Sequence, residues 1–185
     1  MAAETINGID VPALRIFADG VKNHADKRTA GFNVSTQWKG RTRSAATVSH
    51  YMLGGRKVTR HFQIHADEPL ELLGENTAPN PQELLLAALN ACMIVGYAAN
   101  AAVMGIKLTG LKIETEGELD LRGFLGLDPA VKPGYQEVRC TIRIKSSAPP
   151  ERLEELHRIV LNTSPNFSNL ATPIRMMPSL VVDNA

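Results

Sequence analysis

Aromatic residues, net charge and cysteine are all scarce in this sequence. Phe, Trp and Tyr together make up 5% of the 185 residues, too few for a base-stacking surface. The formal net charge is +1, with no basic block or acidic tail, so neither nucleic acid nor an anionic membrane is an expected partner. Cys92 and Cys140 are the two cysteines, which rules out a disulfide scaffold. No CxxC, HExxH, glycine-rich phosphate loop or GxSxG elbow occurs. Metal, nucleotide and hydrolase chemistry therefore have no motif behind them, and no cofactor is expected. His61 and His65 would lie about 13 Å apart on a strand, and His24, His50 and His157 have no partner at ligand spacing. The segment MAAETINGIDVPALRIF lacks the basic start and apolar run of a signal peptide. A reducing cytoplasm is the expected setting, where an unpaired cysteine can serve as a thiol reagent.

What the chain does have is apolar material for a core: 44% of residues are hydrophobic against 21% charged. Its length suits one domain with a short extension, divided as a helical extension over 1–30 and a main domain over 31–185. Leu84 to Ile106 is almost wholly apolar and long enough to span a bilayer. Asn90, Asn100, Gly96, Gly105 and the dominance of alanine argue instead for a buried core helix. So does the upstream flank of Glu75, Gln82 and Glu83, which offers no positive anchor. No membrane partner is expected.

Local signals order the rest. Asp10 can cap a helix running to about Asn23. Phe32, Val34, Thr36 and Trp38 alternate with polar residues in a first strand. A second strand from about Thr42 to Leu53 sets Ala46, Val48, His50 and Met52 on one side. Gly54-Gly55 signals a hairpin into a third strand, Lys57 to Ala66, where Val58, Phe62 and Ile64 share a face. After a loop over 67–80, Asn80, Pro81 and Glu83 mark the start of a helix that Gly105 stops after about Met104. Lys107 to Leu121 reads as a strand with Leu111, Ile113 and Leu119 inward and a charged outer face. A Gly/Pro-rich loop over 122–134 leads to a strand from Tyr135 to Lys145. A helix from Pro149-Pro150, a turn or short helix over 162–170 and a closing strand over 174–182 complete the chain. The order α-βββ-α-ββ-α-β, with antiparallel hairpins, is an α+β fold. A helix apolar all round needs cover on every side, more than one modest sheet gives, so a two-fold homodimer is expected.

Cys92 lies in the middle of that helix. It reads either as a small buried hydrophobe or as a nucleophile, and the second reading requires a cation brought beside it to favour the thiolate. Cys140, on the inward face of its strand with Val138, Ile142 and Ile144, reads as core. Arg60 shares the side of Val58, Phe62 and Ile64 and is expected to snorkel at an edge.

The run HADEPLELLGENTAPNPQELLLAALNACMIVGYAANAAVMGIKL resembles the central signature of the OsmC/Ohr family: an acidic DEP-type turn, a Gly-bearing loop, a Pro-x-E-L-L entry and an A-A-L-x-A-C helix centre. PGYQEVRCTIRIK and SPNFSNLATPI follow in the family order, and the resemblance covers roughly residues 31–182. It implies an OsmC-like fold in which antiparallel sheets wrap long central helices in an intertwined homodimer, with the site at the subunit interface. It also implies thiol-dependent reduction of organic hydroperoxides, as in an oxidative stress response. Cys92 matches the peroxide-attacking cysteine. The resolving cysteine is replaced by Ser164, so an external thiol reductant is expected. The position of the family's glutamate is held by Gln82, with Glu83 beside it but about 100° away around the helix. Arg41 lies nearest the family's arginine, Arg43 is close behind, and Arg60 is a third candidate from the early strands. Leu85, Leu89, Met93 and Tyr97 would suit a small apolar hydroperoxide. The alternative is a non-catalytic module that binds a small apolar ligand in the dimer-interface pocket, and a stable dimer with a vestigial site is a third reading.

Overall fold

A computed structural model describes residues 5–183; residues 1–4 of the expected extension, and 184 and 185 of the main domain, lie outside them. The chain opens with a tight hairpin, β1 (Thr5–Ile6) and β2 (Ile9–Asp10), that the periodicity reading did not anticipate. Its turn is Asn7-Gly8, with φ of 56° and 76°, as a two-residue turn with both central residues left-handed requires. Asn7 donates from Nδ2 to the Ile106 carbonyl and accepts from Leu108 N, both at 2.9 Å. The hairpin is thereby pinned to a strand a hundred residues away. Asp10 then caps α1 (Val11–Asn23), its side chain accepting from Ala13 N.

The meander is present with an interrupted first strand: β3 (Ala30–Phe32) and β4 (Ser35–Trp38) pair in succession along β5 (Ser44–Leu53). Opposite them, β6 (Arg56–Ala66) pairs antiparallel with the length of β5. Gly54 and Gly55, at φ 53° and 73°, form the turn between β5 and β6. The register slips by one between Val48 and His50, where one residue of β5 (Ser49) stands opposite two of β6 (Arg60 and His61), so the expected face Val58, Phe62, Ile64 is broken and Val58 lies on the other side from Phe62 and Ile64. Tyr51, not Met52, then pairs with Val58, and the Arg60 guanidinium lies over the rings of both Tyr51 (5.0 Å) and Phe62 (5.6 Å). Such bulges re-aim side chains and sharpen the twist. Cross-strand partners share a face, so Trp38, Ala46, Val48, Phe62 and Ile64 form one apolar side. Trp38, Phe62 and Ile64 are 76%, 58% and 44% exposed there.

A compact loop leads into α2 (Pro81–Val103). Asn80 and Glu83 close a reciprocal cap: the Asn80 side chain accepts from Glu83 N, and Glu83 Oε2 accepts from Asn80 N, each at 2.8 Å. Gly105, at φ 73°, ends the helix. α2 has the length and apolarity of a bilayer span, yet one stripe of it (Leu89, Met93, Tyr97, Ala101) is buried. That stripe packs with Ile113 of β7 (Leu108–Gly117) and with Leu156 and Val160 of α4 (Pro150–Thr163). The remaining surface of α2 exposes Leu85, Ile94, Val95 and Val103.

β7 and β8 (Val138–Ser146) form a separate antiparallel pair, with the short helix α3 (Leu121–Phe124) between them. Their outer side carries charge, as read from the sequence, with Glu114 bridging Lys112 and Arg143. The turn after α4 becomes α5 (Pro165–Ala171). The closing strand expected over 174–182 is not formed: this segment pairs with nothing among the described residues, and Ile174, Met176, Leu180 and Val182 stand exposed. A strand needs a neighbour for its backbone groups, and the described chain offers this one none.

Candidate functional site

Two clusters hold the side chains singled out above. The first joins α2 to α5. Cys92 is half-buried on α2, and its Sγ lies 3.4 Å from Oγ of Ser164, which is 4% exposed. Three local features set that meeting. Ser164 caps α5, its Oγ accepting from Phe167 N at 3.4 Å. Asn166 Nδ2 donates to the Ala88 carbonyl at 2.8 Å, one turn before Cys92. One turn after Cys92, Gly96 lets α4 approach so closely that a Cβ there would sit 3.2 Å from Val160 Cγ1.

The second cluster gathers around Asp67, at the end of β6, which sequence reasoning missed. Its carboxylate is 1% exposed and accepts five hydrogen bonds. Oδ1 takes Thr42 Oγ1 (2.7 Å) and Glu68 N (2.9 Å). Oδ2 takes Glu75 N (3.1 Å), Thr77 N (3.1 Å) and Thr77 Oγ1 (2.8 Å). The Thr42 hydroxyl, above all, with the Thr77 and Glu68 donors, holds this carboxyl well below the usual range against the opposing effect of burial. The loop it anchors is tightly wound: a Cβ on Gly74 would lie 1.7 Å from the Glu68 carbonyl oxygen.

Thr42, one of the residues Asp67 holds, lies between Arg41 and Arg43. Both arginines pair with Glu75, at 3.7 Å and 3.1 Å, and Glu75 is itself held through its backbone by Asp67. Arg41 sits at φ 51°, a left-handed conformation unusual for a side-chain-bearing residue, and its carbonyl accepts from Trp38 Nε1 at 2.8 Å. A signal was available in principle: an Asp closing a strand, with Thr and backbone amides a few residues on, is a loop-anchoring arrangement.

Gln82 and Glu83 fall on the first turn of α2. The Glu83 carboxylate is engaged in the helix cap, so in this structure it does not orient an arginine, and Glu75 does. Arg60 is with the Tyr51 and Phe62 rings. Among the described residues the hydrogen-bond partner of Cys92 is the Ser164 hydroxyl and not a guanidinium. Leu89, Met93 and Tyr97 belong to the core, while Leu85 is exposed. Cys140 packs against that core, half-buried, on the wall of an open groove of about 540 Å³ shared with Leu153 and His157. His157 has a partner the sequence did not reveal: its Nδ1 lies 2.5 Å from the Tyr97 hydroxyl. Burial, with the nearby Cys140, pushes Tyr97 up to about 12.

Among curated proteins, none matches the sequence. Solved structures do match. An OsmC-like protein from Mycoplasma pneumoniae superposes with a TM-score of 0.61 at 17% identity, over 77% of this chain and 88% of that one. A Psychrobacter arcticus protein described as osmotic stress induced and of the detoxification response gives 0.56 at 18%, over 73% and 85%. An OsmC-like protein of unknown function from Vibrio cholerae gives 0.52 at 17%, over 74% and 91%. At these identities the likeness establishes the α+β OsmC-like fold. The family model for OsmC-like proteins matches residues 74–177, a span that includes the Gly74 loop, the whole of α2 with Cys92, and Ser164. The chain therefore belongs to the OsmC-like protein family.

Proposed function

We propose that this protein reduces small apolar organic hydroperoxides through Cys92, using an external thiol as reductant. The observation that carries the reading is the 3.4 Å contact between Cys92 Sγ and Ser164 Oγ. These are the two positions that the family resemblance assigns to the attacking and resolving sulfurs, and they touch across α2 and α5. The Cys92 thiolate attacks the terminal oxygen of ROOH; the O–O bond breaks, the alcohol leaves as ROH after taking a proton, and the sulfur becomes a sulfenic acid. Serine offers no second sulfur, so a small thiol condenses with the sulfenic acid, releasing water and forming a mixed disulfide. A second thiol then displaces Cys92 and regenerates it. A reducing compartment supplies such thiols.

The reading includes a homodimer. It is supported by two uncovered apolar surfaces, the Trp38–Phe62–Ile64 side of the meander and the Ile94–Val95 side of α2, which a second copy would bury together. In that assembly an arginine of the Arg41–Arg43 pair reaches Cys92 from the other subunit and favours the thiolate. The test is consumption of cumene hydroperoxide with dithiothreitol as reductant. Turnover by the wild type and none by Cys92→Ala is expected. Equal consumption by both, or none by the wild type under any thiol, overturns the reading, and an apolar molecule co-purifying with the inactive protein would favour the ligand-binding alternative.

A further inference from the structure

We propose that Ser164 is itself a catalytic residue, whose hydroxyl donates a hydrogen bond to the Cys92 sulfur and favours its thiolate. The inference rests on the peroxidase reading for its purpose, but not for its chemistry. The Ser164 oxygen accepts from Phe167 N as the cap of α5, which leaves the hydroxyl proton for the other neighbour within reach, Cys92 Sγ. A thiolate has no proton and can only accept, so toward the charged form of Cys92 the serine can act only as donor. A hydrogen bond to an ionised acceptor is roughly twice as strong as one to its neutral counterpart. The contact therefore favours the ionised sulfur over the thiol.

The surrounding packing holds the hydroxyl in place. Asn166 ties α5 to the Ala88 carbonyl on one side of Cys92, and the Gly96–Val160 contact fixes α4 against α2 on the other. Ser164 N also donates to the Val160 carbonyl at 2.9 Å. A donor fixed before the charge develops needs no reorganisation at the moment of reaction. On this view the serine at the resolving position keeps one part of that position's work, tuning the first sulfur, and gives up the other, capturing its oxidised form.

The test is the rate of iodoacetamide alkylation of Cys92 in the intact protein, read by peptide mass spectrometry so that Cys140 does not contribute. Ser164→Ala should react about tenfold more slowly at pH 7, where a charge-assisted donor has been lost, and at the wild-type rate at pH 10. Ser164→Thr should restore the neutral rate. Ser164→Gly, which keeps most of the cap's stability, should repeat the alanine result if the alanine chain folds poorly. Equal rates at pH 7 for wild type and both hydroxyl-free variants would overturn the proposal, as would a slowing of the same size at both pH values, which reports access alone. If the alkylation result holds while no hydroperoxide is consumed, the donor role stands and the peroxidase reading falls. Turnover with no alkylation effect leaves the reverse.

Discussion

Replacing Gly96 with alanine sets two effects of opposite sign against each other. In a helix interior alanine is favoured over glycine by about 0.5–1 kcal/mol, so an exposed Gly96→Ala would stabilise. Here the new methyl would stand 3.2 Å from Val160 Cγ1 and 3.7 Å from Cγ2. Val160 is 0% exposed, and as a β-branched residue on a helix it has one strongly preferred rotamer, so it cannot swing aside and α4 must move instead. Forcing an extra methyl into a packed interior costs about 1–3 kcal/mol, which outweighs the propensity gain and leaves the variant less stable by about 1 kcal/mol. Ser164 follows Val160 by one turn and moves with it, lengthening the 3.4 Å contact to Cys92. Urea denaturation at matched protein concentration should show the lower midpoint, and alkylation of Cys92 at pH 7 should slow. A variant more stable by about 1 kcal/mol, with unchanged alkylation, would refute the idea that Gly96 sets the spacing of α2 and α4.

Further outcomes follow from the same packing. Leu156→Ala, at a 0% exposed position in the core, should lose about 2–5 kcal/mol in denaturation. Asp67→Asn should destabilise at pH 7, because an amide group would face donors that now meet a carboxylate. Since folding lowers the Asp67 carboxyl below its ordinary value, its contribution is complete above about pH 4–5 and fades as pH falls toward the folded-state value. The difference between the midpoints of this variant and the wild type should accordingly shrink at pH 3. Ser164→Cys should form a disulfide with Cys92 on treatment with hydroperoxide, seen as loss of both thiols to alkylation under non-reducing conditions; two persistently free thiols would contradict the geometry. Glu83→Ala should cost about 1 kcal/mol through the cap with little effect on Cys92 alkylation, whereas a large loss of reactivity would reinstate it at the site.

Local chemistry explains why much of the fold was readable. The Asp10 cap, the Asn80–Glu83 box, Gly54-Gly55 and Gly105 each act within a few residues, and each appears where the sequence placed it. The Asn7-Gly8 hairpin carried an equally local signal that helical periodicity nearby obscured. What failed was non-local. The slip after Val48 depends on how β6 meets β5, and residues 174–182 have strand-like composition but no neighbour to pair with. In the candidate site, the family motif had already singled out Cys92 and Ser164, the two positions that the structure brings into contact. Asp67 and Glu75 were not legible, because their roles come from folding a loop back onto a turn about two to three dozen residues earlier. Glu83, which looked available from sequence, is taken up by the helix it starts.

Both arginines and their counter-ion are tied to a single carboxylate, since Thr42 between the arginines and the Glu75 N–H both donate to Asp67. A perturbation that loosens the 67–77 loop would not weaken Arg41 alone; it would release Arg41, Arg43 and Glu75 together. Amide exchange at Glu75 and Thr77, whose N–H groups Asp67 holds, should therefore report the order of the whole guanidinium pair, and a protease cut within the loop should release it in a single step.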